Sequence, residues 1–127
     1  TMDLGANVTL TGGVALQTQE SWCEFISEDL QSISFGGNAA ELYFEEDKFD
    51  DFLKKLAAIK GIFYVHPVQQ YSWGQRVIRF YDPDFHILEV GENMKSVCRR
   101  FLDSGMTIEA AAVRMNVPEK FVRACVR

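Results

Sequence analysis

Cysteine and histidine are both scarce in this chain, and their scarcity narrows the chemistry. The 127 residues hold three cysteines, Cys23, Cys98 and Cys125, and two histidines, His66 and His86. An odd cysteine count, at spacings that match no zinc motif, argues against a disulfide scaffold or a cysteine-built metal site. Buried free thiols in a reducing, cytoplasmic compartment are the expectation. Neither histidine is adjacent in sequence to a cysteine, so nothing marks a thiol nucleophile with its base. Long apolar runs are also missing: none approaches the roughly 20 residues of a membrane helix. No secretory signal is visible at the start. Apolar residues make up 47% and charged residues 24%, which excludes disordered, collagen-like and coiled-coil classes. A chain of this size buries roughly two-thirds of its unfolded surface, enough for a core without staples.

The net charge of −5 hides an asymmetry. Residues 1–93 carry 6 basic and 15 acidic side chains, whereas residues 94–127 carry 7 basic and 3 acidic. The compositional break near Gly91–Met94 divides the chain into an acidic domain, 1–93, and a basic segment, 94–127. Such a segment either folds against the acidic domain or meets nucleic acid.

Hydrophobic periodicity outlines the elements. Residues 6–18 read as a hairpin, with Gly12-Gly13 between two short β-branched runs. Residues 20–37 read as a loop with one helical turn around Ser21–Ser27. Residues 40–46 alternate as a strand: Leu42 and Phe44 share one face, Glu41, Tyr43 and Glu45 the other. Residues 47–60 are the clearest helix, with Phe49, Phe52, Leu53, Leu56 and Ile59 at helical spacing and Gly61 as the stop. Strands are expected at 62–65, 76–81 and 86–90, with a break at His66-Pro67 and turns at 72–74 and 82–84. The order β-α-β-β-β after residue 40 implies an α+β fold, a helix on one face of a small mixed sheet.

Several strings resemble the vicinal oxygen chelate superfamily, which includes glyoxalase I, the bleomycin resistance proteins and the extradiol dioxygenases. The strongest is Trp73-Gly74-Gln75-Arg76, followed by Phe80-Tyr81-Asp82-Pro83-Asp84 and Ile87-Leu88-Glu89-Val90. The run Ala40–Asp47, leading into the Phe49–Leu56 helix, resembles the opening of the family's second module. Gly13–Gln17 resembles the last strand of its first. The resemblance covers about residues 5–93 and implies paired βαβββ modules that form a cupped mixed sheet. The first strand and helix of the first module have no counterpart here, so the chain is expected to be a piece of a longer one.

The resemblance also implies a metal position. Matched residue by residue, Gln17, Glu41 and Glu89 stand where relatives hold ligands to a divalent ion such as Zn, Ni, Mn or Fe. Such an ion would polarise a substrate oxygen while Glu89 or Glu41 moves a proton. Strand alternation and the family match turn Tyr43, Arg79 and Tyr81 inward as well. Arg79 then lies near Glu89, where it either replaces the metal or holds an anionic ligand, since buried charges need partners. Trp73 is a further candidate to grip a ligand. Both histidines read as structural; His86, three residues before Glu89, points to the opposite face. Phe85 stands where the family usually has glycine, in a turn that favours positive φ.

The basic segment reads as three helices: Lys95–Leu102, Ile108–Met115 capped by Thr107, and a last one opened by Pro118. The run 107–123 resembles a helix-turn-helix, with Ala112, Val117 and Val122 at its packing positions. In a DNA reader the last helix would offer Glu119, Lys120 and Arg123, with Arg127 near a phosphate. Otherwise the segment packs as a small helical appendage. Three functions therefore stand: a metal-dependent lyase, isomerase or dioxygenase on a small oxygenated substrate; a metal-free module that sequesters a small molecule; and a ligand-responsive DNA regulator. A homodimer without membrane attachment is expected for all three.

Overall fold

The structure is a computed structural model that describes residues 1–126. The chain divides into two compact units, Thr1–Gly37 and the remainder from Asn38 onward. In the first, β1 (Met2–Asp3), β2 (Asn7–Thr9) and β3 (Ala15–Gln17) form an antiparallel sheet in that order. The expected hairpin is the β2–β3 pair, with Val8 opposite Leu16. A full helix follows, α1 (Gln19–Ile26), where the sequence suggested one turn. Its start is fixed by Thr18, whose hydroxyl accepts a hydrogen bond from the Ser21 N–H. That cap, with Glu20 in the first turn, supplies the missing helix signal.

The second unit holds β4 (Glu41–Glu46), α2 (Phe49–Ala58), β5 (Tyr64–Gln70), β6 (Arg76–Tyr81) and β7 (Ile87–Glu92). This is the expected βαβββ order. The sheet runs β4-β7-β6-β5, with β4 parallel to β7 and the other neighbours antiparallel. Phe49, Phe52, Leu53 and Leu56 of α2 pack on Ile78 and Phe80 of β6 and Leu88 and Val90 of β7. Each such side chain removed from water stabilises the fold by about 1.5–3 kcal/mol before entropy is counted. Ile59 lies beyond the end of the helix and is exposed, unlike the rest of the stripe.

Two strands differ from expectation. β5 continues through His66-Pro67 to Gln70, with register irregularities on either side of His66. Proline is tolerated there because β5 is an edge strand, where a missing N–H costs no ladder bond. β7 extends to Glu92, past the expected end at Val90.

Three helices close the chain: α3 (Met94–Asp103), α4 (Ile108–Met115) and α5 (Glu119–Cys125). Asn93 and Thr107 cap the first two through their side chains, and Asn116 turns the chain in the left-handed region. The helices share a core of Val97, Cys98, Phe101, Ala111, Ala112, Met115, Val122 and Cys125. The alanines let α4 approach its neighbours closely. Arg100 and Phe101 tie this bundle to the sheet. Arg100 bonds Glu92 at 2.8 Å and the Gly74 carbonyl at 2.7 Å. The Phe101 ring lies against Gly74, where a Cβ would collide with it and where φ is +88°.

Candidate functional site

Alternation gives the sheet a second face, away from α2. β4 contributes Glu41, Tyr43 and Glu45; β6 contributes Val77, Arg79 and Tyr81; β7 contributes Ile87, Glu89 and Gly91. Arg79 sits directly opposite Glu89 on one side and His66 on the other. Its guanidinium gathers the polar groups around it. Nε donates to Glu41 Oε2 at 2.7 Å and Nη2 to Glu41 Oε1 at 3.4 Å. Nη2 also donates to Glu89 Oε2. Nη1 donates to the Tyr71 hydroxyl at 2.6 Å and meets His66 Nε2 at 3.3 Å. His66 Nδ1 lies 2.7 Å from the Pro67 carbonyl. A neutral ring protonated at Nδ1 satisfies both contacts. The Glu89 side chain is 8% exposed, Arg79 21% and Glu41 35%.

The two carboxylates are electrostatically unequal. Hydrogen bonding to Arg79, and then to Glu89, holds the Glu41 carboxyl below its ordinary value. Burial, with Glu41 alongside, pushes the Glu89 carboxyl up against the pull of Arg79. Of the two carboxyls, Glu89 is the more readily protonated.

A second network adjoins the first. Tyr71 and Trp73 stack with ring centroids 4.4 Å apart. Trp73 Nε1 donates to Gln75 Oε1 at 3.1 Å; Gln75 Nε2 donates to the Tyr43 hydroxyl at 2.9 Å and to the Glu92 carbonyl at 3.0 Å. Gln75 is buried, and Gly91 leaves room for it: a Cβ there would lie 2.8 Å from Gln75 Nε2. Burial also pushes the Tyr43 hydroxyl above its usual range.

Of the residues expected from sequence, Glu41, Glu89 and Arg79 meet in one cluster, while Tyr43 and Trp73 meet through Gln75. Tyr81 stands apart, its hydroxyl on Asn38 Oδ1 at 2.9 Å and its ring against Phe85. Gln17 belongs to the first unit, where its amide accepts from Asn7 at 2.7 Å and donates to Ser21 at 2.6 Å. His66, Tyr71 and Gln75 were not anticipated. Gln75 carried a signal, as the variable position of the Trp-Gly-x-Arg string; His66 and Tyr71 carried none, because an irregular strand brings them to Arg79.

The implied metal can be tested against this donor set. Glu41 and Glu89 converge, but on a guanidinium that already supplies the positive charge. Within the first unit, the Gln17 amide is bonded to Asn7 and Ser21. In the second, Glu41 and Glu89, each already bonded to Arg79, do not fit a divalent ion as arranged. Asp82, Asp84 and His86 also bring ligand-type atoms within 4.8 Å of one another. There the Asp82 carboxylate accepts from the backbone N–H groups of Asp84 and His86, which shapes the turn.

In the helical segment, Arg123 pairs with Glu119 at 3.1 Å and with Glu109 at 3.9 Å. Lys120 is exposed. Arg127 lies outside the described residues. No helix among the described residues is long and apolar enough to cross a membrane.

A βαβββ sheet with a helix on one face and a charged cluster on the other defines a glyoxalase-type module. The chain belongs to the glyoxalase-like domain family, whose model matches residues 1–95. No curated protein matches it. A protein of unknown function from Agrobacterium tumefaciens str. C58 is 35% identical with a TM-score of 0.60, over 72% of this chain and 71% of that one. A glyoxalase-related enzyme from Fulvimarina pelagi shares the fold at 18% identity and a TM-score of 0.54, over 69% of this chain and 63% of that one. A member of the glyoxalase/bleomycin resistance protein/dioxygenase superfamily from Sphaerobacter thermophilus DSM 20745 is 27% identical with a TM-score of 0.49. This chain covers 65% of that one.

Proposed function

We propose that this chain is the small-molecule-binding module of a glyoxalase-related protein, and that it binds an organic ligand without a metal. One observation carries the reading: Arg79 bridges Glu41 and Glu89, the two positions at which the superfamily resemblance implied metal ligands. Around it, Tyr71, Trp73 and Tyr43 offer stacking surface and hydroxyls, the usual mixture of apolar walls and a few fixed polar groups. The test is a ligand screen by chemical-shift perturbation on the protein stripped with chelator. Ligands that shift resonances of Tyr71, Trp73 and Arg79, and that lose affinity in Trp73→Ala, support the reading. A screen whose hits all map elsewhere overturns it.

The enzymatic reading draws on the inequality of Glu41 and Glu89, since a carboxyl raised by burial is suited to proton transfer. Under it, Glu89→Gln abolishes turnover of a bound ligand and leaves affinity nearly unchanged. A regulator reading is less well supported, because Arg123 is already paired with two carboxylates. Retention on DNA that falls steeply with salt is the result it requires. Two-copy assembly belongs to the proposal as well, and sedimentation of the full chain checks it.

A further inference from the structure

We infer that the Arg79 guanidinium is the resident cation of this site, that it closes the site to divalent metal ions, and that neutralising it uncovers a latent metal site on Glu41, Glu89 and His66. The inference rests on the proposed reading only in taking this sheet face as the functional one. Arg79 touches a ligand-type atom of each of the three: Glu41 Oε2, Glu89 Oε2 and His66 Nε2. They surround one point from three strands, and the guanidinium fills it. Among the described residues, no other lysine or arginine pairs with Glu41 or Glu89.

The physics of exclusion is direct. A buried carboxylate such as Glu89 requires a counter-charge, and Arg79 provides it with hydrogen bonds in fixed geometry. An incoming divalent ion would have to displace that guanidinium or sit beside it against like-charge repulsion. Its Nε is engaged by Glu41, its Nη2 by Glu89 and its Nη1 by His66, so the guanidinium occupies all three ligand atoms at once. Without it, two carboxylate oxygens and an imidazole nitrogen face an uncompensated negative site. Two carboxylates and one imidazole form a common donor set for zinc or manganese. His66 already bonds Pro67 through Nδ1, which leaves Nε2 as the free ligand atom.

The experiment titrates Zn²⁺ and Mn²⁺ into chelator-stripped full chain by calorimetry, with Mn²⁺ paramagnetic resonance as a second readout. Wild type, Arg79→Ala, Arg79→Met, Arg79→Lys and the double variant Arg79→Ala with Glu89→Gln are compared. Binding that Glu89→Gln leaves unchanged in the wild-type background lies elsewhere and is subtracted. The expected result is no Glu89-dependent site in wild type or Arg79→Lys. Arg79→Ala or Arg79→Met gains one site per chain, tighter by roughly tenfold or more, and the double variant loses it. A wild-type site that Glu89→Gln abolishes overturns the inference. So does a folded Arg79→Ala or Arg79→Met variant that binds no better than wild type. If both neutral variants fail to fold, the wild-type titration still decides the exclusion. Failure to find an organic ligand would defeat the proposed function and leave these titrations as they stand.

Discussion

Glu92 is the residue on which the second unit turns. It is 5% exposed and joins three elements: Arg76 of β6 at 2.9 Å, Arg100 of α3 at 2.8 Å and its own strand β7. Burial works to raise its carboxyl, but Arg76 and then Arg100 outweigh that and hold it below the ordinary 4.5. A carboxyl lowered by folding stabilises the native state above its unfolded value, and that contribution disappears as pH falls through the folded one. The wild-type protein should therefore lose stability below about pH 4.5 through Glu92. Glu92→Gln should cost about 2–3 kcal/mol at pH 7, because it leaves two arginines poorly paired. Its acid sensitivity should be weaker, as urea unfolding at a series of pH values will show. The superfamily resemblance singled out Glu89, which stands at the expected distance from Asp82-Pro83-Asp84 in that pattern. It was silent on Glu92, whose importance depends on which arginines reach it.

At the scale of elements, two turns hold a left-handed backbone that the sequence partly disclosed. Phe85 adopts φ +63° where the resembled superfamily pattern has glycine, and it holds its position by packing on Phe63 and Tyr81. The left-handed region costs a non-glycine residue about 1–2 kcal/mol. Glycine should therefore outrank alanine here, reversing their ordinary order. Phe85→Gly is expected to melt higher than Phe85→Ala, by about 1 kcal/mol of stability in paired denaturation curves. The second turn is Gly74, which needs positive φ and also has the Phe101 ring against it. Gly74→Ala should destabilise by about 2–4 kcal/mol, since strain and overpacking add. Loss should be seen first in amide protection of α3. Alternation showed the two faces of β7 correctly, with Leu88 and Val90 against α2, because period two needs no partner to be legible. The length of β5 was not legible, because proline reads as a break until the strand is known to lie at an edge.

At the scale of the whole molecule, the thiols test how well the helical core is closed. Cys98 and Cys125 are buried in the α3–α5 core, and Cys23 is buried in the first unit. Burial, with Cys125 alongside, pushes the Cys98 thiol up to about 11. A thiol so protonated and covered is a poor nucleophile. In native protein at pH 8, a disulfide reagent should leave Cys98 untouched for hours and modify it within minutes in denaturant. Fast native labelling of Cys98 would mean that the helical bundle opens.

The sequence by itself determined the family, the βαβββ order, the three terminal helices and the identity of the facing carboxylates. The order and the helices follow from period and capping, which act over a few residues; the family and the two carboxylates were read from the resemblance of the strings around Trp73, Asp82 and Ala40–Asp47. Tertiary structure alone decided what the carboxylates face. Arg79 and Glu41 lie 38 positions apart in sequence, and Arg79 reaches His66 and Tyr71 only because β5 pairs irregularly with β6. Whether a charged site carries its counter-ion in its own chain depends on strand register, which sequence periodicity leaves open.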